Sequence, residues 1–545
     1  MSRVLLSLLP LALVGAAAPP SVPVFTPEAF RAHVAFLADD LLEGRDTGSR
    51  GHEIAARYVA SHFDALGLKP GGEKGDWYQQ VPFQRTERSG APGTVTLSST
   101  AGKQRWTHGE DVIVGINARE PKTDLTGGLV FVGYGLADKS LGIDDYKGVD
   151  ARGKIVVVLS GFPKGMASEI GAHLSDHKAE AAEAHGAVGT ISIDTIQSAA
   201  ARPWSVRQRY AYGSHFDWVG PDGQPHVEAP GLRASASVDD KVAEALFAGA
   251  PQTLAQIRAE ADRDGGRPKG FALAGTLRIT AETSSTRVTS PNVIGILPGS
   301  DPKLAPEVVI LSAHLDHIGI SKARAGDPPN VDRINNGALD NASGIATMLE
   351  VARAAATAPT KPRRTLVFLA STAEEKGLLG ADYYAHFPTV PAKSIVADVD
   401  LDMPLLLYRF TDVIAFGADH STLGKVVADA ARPMGIALAP DPMPEEGIFT
   451  RSDHYRFVEQ GVPAVFLATG YANGGEAAWK RFFATAYHQP ADDLNQPIDW
   501  VAGARFAEVN YRITRALADA DAVPRWYKGD YFGNLFAAGA AKAAR

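Results

Sequence analysis

Acidic and histidine residues follow short apolar runs at several points in the C-terminal half of the chain. Carboxylate and imidazole groups are the usual ligands of zinc in catalytic sites. Apolar runs give no local reason for so many acids at their ends, and converging carboxylates would repel one another unless a cation neutralised them. These residues therefore indicate a bound metal. They are His314, Asp316, His317, Glu374, Glu375, Asp398, Asp400 and Asp402.

The ratio of carboxylates to imidazoles favours two metal ions. Several carboxylates with few imidazoles suit a pair of ions that share a bridging carboxylate, roughly 3.5–4 Å apart. His314 and Asp316 are two residues apart, so on an extended strand they would share one face and Asp316 could orient the imidazole. Taken singly, Glu374-Glu375 is typical of a solvated loop, and Asp340 before a helix is typical of an N-cap.

The elements that would position these residues follow an alternating pattern from residue 290 onward. The clearest predicted helix is Ser343–Ala356, in which Ile345, Met348, Leu349 and Ala352 form one apolar stripe. Apolar strands alternating with such helices predict a mixed, mostly parallel sheet with helices on both faces, and ligands bind beyond the carboxyl ends of such strands. The runs predicted as strands are 292–297, 308–313, 365–371, 395–402 and 462–468.

The N-terminal and middle parts of the chain differ in their pattern of predicted secondary structure. Residues 27–66 are predicted to be largely helical, with a polar break at 43–51. From residue 119, short β-rich runs alternate with Gly, Asp and Pro turns, and one helical stretch lies at 178–185. We therefore predict a separate small domain over residues 119–283, inserted between parts at 19–118 and 284–545.

Composition excludes several other classes of function. The 545 residues are enough for two or three domains, and the formal net charge of -8 includes no basic stripe for a nucleic acid. Cysteine is absent, which excludes disulfides, thiol nucleophiles and thiolate ligands. No Gly-x-Ser-x-Gly motif follows a predicted strand, which argues against a serine hydrolase.

The first 18 residues have the pattern of a signal peptide. Arg3 supplies a positive charge, 4–14 are apolar, and 15–18 offer small residues for cleavage. We predict export to the periplasm or the medium. No later run is long and apolar enough for a membrane anchor.

Five segments of the chain form one set of motifs. They are, in order, Ala313–His317, Gly337–Gly344, Ala373–Gly380, Leu401–Met403 and Tyr487–His488. Together they resemble the motifs of metallopeptidase family twenty-eight. Arg451–His454 followed by Gly461–Ala464 resembles its late motif, and Leu42–Arg45 resembles the N-terminal signature of its larger members. The resemblance covers about 20–118 and 285–520, and it implies the zinc-exopeptidase fold.

The resemblance implies a role for each matching residue. One metal would be bound by His314, Asp340 and Asp402, and the other by Asp340, Glu375 and His488, so that Asp340 bridges. Glu374 matches the general base, and Asp316 matches the carboxylate behind the ligands. The implied protein is an exported metallo-aminopeptidase with two divalent ions per chain, zinc by preference. It would cleave N-terminal residues from short peptides through a metal-bridged hydroxide.

The predicted inserted domain resembles the protease-associated domain found in several of these peptidases. The matching segments are Val130–Gly135, Asp145–Gly148 and Gly153–Val157. Such a domain could act as a lid that admits short peptides, or it could be a spacer without functional effect.

Other functions compatible with the same motifs stay open. A metallocarboxypeptidase or dipeptidase differs only in pocket residues, whereas glutaminyl cyclase uses one zinc and receptor-like relatives have lost ligands. Trp479, Phe482 and Phe483 precede His488 and could line a specificity pocket or belong to the core.

Overall fold

The computed structural model describes residues 23–100, 102–323 and 328–545. The predicted signal peptide, residues 1–18, lies outside these ranges. Among the helices of the described ranges, none has both the length and the apolar composition that a membrane crossing needs.

The strands and helices of the described ranges are numbered in chain order. The strands are β1 Lys69–Pro70, β2 Tyr78–Arg88, β3 Thr94–Ser99, β4 Gly102–Thr107, β5 Val112–Val114, β6 Lys122–Phe131, β7 Ala137–Asp138, β8 Ile143–Asp144, β9 Ile155–Leu159, β10 Gly189–Ile193, β11 His215–Trp218, β12 Ala234–Val238, β13 Phe271–Leu297, β14 Val308–His314, β15 Thr365–Ser371, β16 Ile395–Asp400, β17 Asp412–Phe416, β18 Ala437–Ala439 and β19 Ala464–Thr469. The helices are α1 Pro27–Leu37, α2 Arg50–Ala65, α3 Ser168–Asp176, α4 Lys178–Ala184, α5 Ile196–Ala201, α6 Trp204–Tyr210, α7 Asp240–Leu246, α8 Leu254–Ala261, α9 Ser343–Thr357, α10 Leu379–His386, α11 Leu423–Ala431, α12 His454–Glu459, α13 Gly475–Thr485, α14 Trp500–Asp519 and α15 Tyr531–Phe536.

Four parallel strands form the centre of the first sheet, in the order β15, β14, β16 and β19. The antiparallel strands β13 and β17 flank them. Every residue of β14 and β19 is buried, as expected for strands covered by helices on both faces. The predicted α/β class, a mixed and mostly parallel sheet, is confirmed.

Helix α9 follows the loop that contains Asp340 and packs against β14 of this sheet. The predicted apolar stripe, with Ile345 and Met348, is buried as expected. Thr347 and Glu350 on other sides of the helix are also buried, because α9 packs against β14, α1 and α14 together. A helix that contacts neighbours on several sides fixes the loop before it firmly.

Strand β13 joins the first sheet to a second one. Its first half pairs with β3 and β6, and its second half pairs with β2 and β15. The second sheet has a hydrophobic cluster of its own, and its strands begin at Thr94, before the predicted boundary at residue 119. Strand β11, although it lies within 119–283, pairs with β2 of the first sheet.

The interval 119–283 contains more helix than the sequence indicated. The predicted stretch at 178–185 corresponds to α4, but α3 and α5–α8 also lie there. These helices are six to nine residues long, which is too short for a helical period to stand out in the sequence.

Helix α3 connects the second sheet to the C-terminal part of the chain. The His420 imidazole contacts Glu169 of α3 at 2.5 Å and Asp530 at 2.6 Å. His173 of α3 contacts the Tyr455 hydroxyl at 2.5 Å. Burial alone would lower the pKa of His420, but the hydrogen bonds to Asp530 and Glu169 outweigh it and raise the pKa to about 9.

We expect His420→Asn to destabilise the protein in a pH-dependent way. Because the folded pKa lies above the ordinary value of about 6.5, the stabilisation is fully present below that pH and is lost as the pH rises through about 9. The substitution should lower the free energy of unfolding by about 3 kcal/mol at pH 6, and by much less at pH 10. Urea unfolding at both pH values measures this. Equal losses at both would mean that His420 contributes by packing and not by charge.

Candidate metal centre

The predicted metal ligands meet at the carboxyl ends of the central parallel strands. His314 is the last residue of β14, Glu375 lies in the turn after β15, and Asp402 follows β16. Asp340 lies in the loop before α9, and His488 follows α13. Strand ends that are adjacent in the sheet therefore bring together residues far apart in the sequence.

His314, Asp340 and Asp402 form the first group. Nε2 of His314 lies 3.1 Å from Oδ1 of Asp402 and 3.3 Å from Oδ1 of Asp340. His314 and Asp340 are buried, and the Asp402 side chain is 14% exposed. One ligand atom from each lies within the span that a single metal ion would bridge.

Asp340, Glu375 and His488 form the second group. Nε2 of His488 lies 3.4 Å from Oδ2 of Asp340 and 3.2 Å from Oε2 of Glu375. Asp340 thus directs one carboxylate oxygen to His314 and the other to His488. Burial alone would raise the pKa of Asp340, but these two imidazoles hold it well below its ordinary value.

His317, which lies among the predicted metal-binding acids and histidines but in neither predicted ligand set, also belongs to the second group. Its Nδ1 lies 2.6 Å from Oε1 of Glu375 and 4.0 Å from Oδ1 of Asp340. The spacing of His317, three residues after His314, could have indicated a second histidine ligand, but the family motif assigns no role to this position.

Glu374, the predicted general base, faces the centre from the same turn as Glu375. Its Oε2 lies 4.0 Å from Nε2 of His314, and its side chain is 11% exposed. Burial raises the pKa of Glu374 well above its ordinary value, and the carboxylates of Asp402 and Glu375 add to this effect. A largely buried carboxylate that lies beside the candidate ligands and belongs to neither group is a candidate general base.

The Asp316 carboxylate was expected to orient the His314 imidazole, but the main chain of Asp316 makes that contact instead. Nδ1 of His314 contacts the backbone oxygen of Asp316 at 3.1 Å, whereas the Asp316 carboxylate is 4.0 Å away. That carboxylate accepts hydrogen bonds from the Glu374 amide at 3.0 Å and from the Thr47 hydroxyl at 3.1 Å. Asp316 therefore fixes the backbone of Glu374 through its side chain and the His314 ring through its main chain.

Two residues that had no predicted role at the site, Asp492 and the last residue of the Leu42–Arg45 signature, hold the loops of the centre. The Asp492 carboxylate accepts hydrogen bonds from the amides of Leu339 and Asp340, both at 3.0 Å. The buried Arg45 guanidinium donates to the carbonyls of Leu315 at 3.0 Å, Asn336 at 2.6 Å and Gly337 at 3.0 Å. Arg45 thus ties together the loops that follow His314 and precede Asp340.

A layer of buried acids lies behind Asp402. The Ser452 hydroxyl donates to Asp402 at 2.9 Å and can donate to Asp400 at 2.6 Å, and Asp400 also contacts Ser312. Burial and the neighbouring Asp402 raise the pKa of Asp400 to about 7. Asp400 is thus connected to the candidate ligand Asp402 through the Ser452 hydroxyl.

The aromatic residues before His488 contribute to the core. Trp479 and Phe482 are buried, and the Trp479 indole donates to the Thr469 carbonyl at 3.1 Å. The ring of Phe483 lies 5.4 Å from that of Trp479, with the two planes tilted by 36°. None of these three aromatic side chains lines the cavity that opens onto the candidate ligands.

A cavity of 470 Å³ opens onto both groups. It has the size of a small-molecule site. Its lining combines the centre with residues of the interval 119–283, such as His177 and Glu228. The lining residues are Asp176, His177, Arg202, Glu228, Asp340, Glu374, Glu375, Gly377, Leu378, Asp402, Met403, Thr450, Arg451, Tyr455, Arg456, Glu459, Tyr487 and His488.

The donor set fits a pair of zinc-like cations. Four carboxylates, those of Asp340, Glu374, Glu375 and Asp402, share a largely buried space with three imidazoles. Oε1 of Glu375 and both ring nitrogens of His317 are buried, with no hydrogen-bond partner among the described residues. Buried polar atoms of this kind normally bind a protein group, water or an ion.

Comparison with known proteins leads to one family. Residues 292–514 match the model of peptidase family M28. Leupeptin-inactivating enzyme 1 of Streptomyces exfoliatus is 29% identical over 258 residues, covering 45% of this chain and 53% of that protein. A probable zinc metalloprotease of Pyricularia oryzae is 31% identical over 157 residues, which are 29% of each chain.

The chain thus spans about half or less of the length of these curated relatives. Over nearly its whole length its fold is similar to that of the aminopeptidase from Aneurinibacillus sp. strain AM-1. That structure has a TM-score of 0.52 and 21% identity, with 92% of this chain and 95% of the other covered. Over residues 292–514, which carry the candidate ligands described above, the chain is thus similar to peptidase family M28.

Proposed function

We propose that this protein is a two-metal exopeptidase that removes N-terminal residues from short peptides. The observation that carries the proposal is the division of the Asp340 carboxylate between His314 at 3.3 Å and His488 at 3.4 Å. A carboxylate shared in this way is the bridging ligand that a pair of ions requires. The zinc metalloprotease and aminopeptidase names of the relatives support the same reaction class.

The residues of the centre have separate roles in the proposed hydrolysis of a peptide bond. The chemistry that a bound cation pair supplies is activation of a water molecule and polarisation of the scissile carbonyl. Glu374 is placed to take the proton from that water and to return it to the leaving amine. The hydrogen bond from its amide to Asp316 keeps the turn of Glu374 in place during both transfers.

The cavity supports short peptides as substrates. His177 and Glu228 come from the interval 119–283, and they line the same cavity as Glu374. The part of the chain that carries them therefore covers the approach to the centre. We propose that it acts as a lid that restricts the length of the peptide, and not as a spacer.

An N-terminal α-ammonium suits the acidic surroundings of the cavity. Glu374 and Asp402 line the cavity, and both would attract a positively charged group.

The position of Arg451 favours the second candidate function, which is carboxypeptidase action. Its side chain lines the cavity, is 33% exposed, and contacts only Glu446 among its charged neighbours in the described residues, at 3.3 Å.

We further propose that the ions are zinc and that the protein acts after export. Imidazole and carboxylate donors suit zinc. Glutaminyl cyclase activity is less well supported, because the residues offer ligands for two ions. A receptor-like role is less well supported because each ligand position is filled.

Two metal ions per chain are expected on elemental analysis of the purified protein. A chelator should remove both ions and abolish peptide hydrolysis, and two equivalents of zinc should restore it. One tightly held ion with full activity would contradict the bridging role of Asp340.

Glu374→Gln should separate catalysis from metal binding. We expect kcat to fall by about 10²-fold or more, the size of a lost general base, while both ions stay bound. Glu375→Gln should instead weaken one ion, because Glu375 contacts His317 and His488. Glu508→Gln in helix α14 is the control and should change kcat little, since Glu508 pairs with Arg512 at 2.8 Å and does not line the cavity. Near-normal turnover of Glu374→Gln would identify another residue as the base.

Blocking each end of a substrate should show which end is recognised. Acetylation of the peptide N-terminus should abolish cleavage, because it removes the ammonium group. Amidation of the C-terminus should change kcat/KM only slightly. The reverse pattern would assign carboxypeptidase action, with Arg451 as the partner of the substrate carboxylate, since Arg presents paired donors.

A further inference from the structure

The imidazole of His317 lies against Asp340 and Glu375 on the inner side of the candidate centre. Its side chain has no exposed surface, whereas that of His488 is 27% exposed. The two rings are 5.8 Å apart at 75° and approach the same pair of carboxylates. Nδ1 of His317 is 2.6 Å from Oε1 of Glu375, and Nε2 of His488 is 3.2 Å from Oε2.

His317 and Glu375 lie within hydrogen-bond distance of each other, but the orientation of the two groups does not make a hydrogen bond. Nδ1 of His317 and Oε1 of Glu375 are both buried, and neither has a hydrogen-bond partner among the described residues. Both atoms thus lack the partner that buried polar atoms normally have, and an ion bound beside them would supply one. Nε2 of His317 is unpartnered as well.

The backbone holds the His317 ring in this position. The His317 amide donates to the Arg45 carbonyl at 3.3 Å. Gly337 has a φ of 61°, and a Cβ there would lie 2.8 Å from ring atoms of His317. Glycine at 337 therefore leaves the space that the imidazole occupies.

Burial without hydrogen bonds does not by itself make a histidine a ligand, as His454 illustrates. Both ring nitrogens of His454 are also buried and unpartnered. Its ring packs against Phe449 and Phe466, with centroids 5.3 and 5.8 Å away, and its nearest carboxylate, Asp400, is 3.8 Å away. His317 differs because one ligand atom each from His317, Asp340 and Glu375 lies within a span suited to one ion.

We propose that His317 is a direct ligand of the second metal ion, together with Asp340, Glu375 and His488. This inference rests on the proposed two-metal function. The second ion then has four protein side chains, as in closed zinc sites, whereas the first ion has His314, Asp340 and Asp402 and keeps an open position. The two sites should consequently differ in affinity, with the second filled first.

Cobalt titration of the metal-free protein measures this difference. Calorimetry and visible absorption should resolve two Co²⁺ ions in the wild type, one bound more tightly. His317→Asn should weaken the tighter step at least tenfold and leave the other unchanged. His52→Asn is the control, since His52 is also fully buried with an unpartnered Nε2, but its Nδ1 contacts Ser290. Unchanged affinities in folded His317→Asn would overturn the assignment.

X-ray absorption of the zinc-loaded wild type tests the ligand without any substitution. Three imidazoles per two zinc ions are expected if His317 binds, and two would overturn the proposal even if His317→Asn failed to fold. A wild type that binds fewer than two ions would instead refute the two-metal function itself. The two failures are therefore distinguishable.

Discussion

The buried negative charge at the carboxyl ends of the parallel strands is the constraint on which the rest of the structure depends. Asp340, Glu374, Glu375 and Asp402 lie together with little access to water, and carboxylates so placed repel one another. Imidazoles offset part of this charge, and the proposed cations would offset the rest. Arg45 contributes a positive charge that interacts with Asp340 and Glu375. Its pKa is lowered by burial to about 10 and sustained by Asp492 and Asp316.

Holding such a cluster requires rigid backbone, and the fold supplies it. Asp492 fixes the amides of Leu339 and Asp340, and Arg45 fixes the carbonyls on either side of the cluster. Helix α9, packed on several sides, anchors the loop from below. The position of the loop that carries Asp340 therefore depends on contacts between distant parts of the chain, such as that of Arg45 with Asn336, 291 residues apart.

The second sheet gives the cavity its outer wall. Strand β13 continues from one sheet into the other, and α3 contacts the C-terminal part of the chain through Glu169 and His173. This attachment places His177 and Glu228 over the same cavity as the candidate ligands. Substrate length and the approach to the centre are consequently properties of both sheets, whereas the proposed chemistry belongs to the first.

The sequence alone determined the α/β class and the strand ends that bring the site residues together, because buried parallel strands are continuous apolar runs and the acids follow them directly. It also pointed to His314, Asp340, Glu374, Glu375, Asp402 and His488, although their roles came from the motif resemblance. Only the tertiary structure placed His317 beside Glu375 and Asp492 beneath Asp340, and only it assigned Trp479 to the core. Those relations depend on side-chain direction and on contacts between distant segments, which no local period or spacing encodes. The other short helices of 119–283, α3 and α5–α8, escaped detection for a related reason, since tertiary packing and not local periodicity stabilises them.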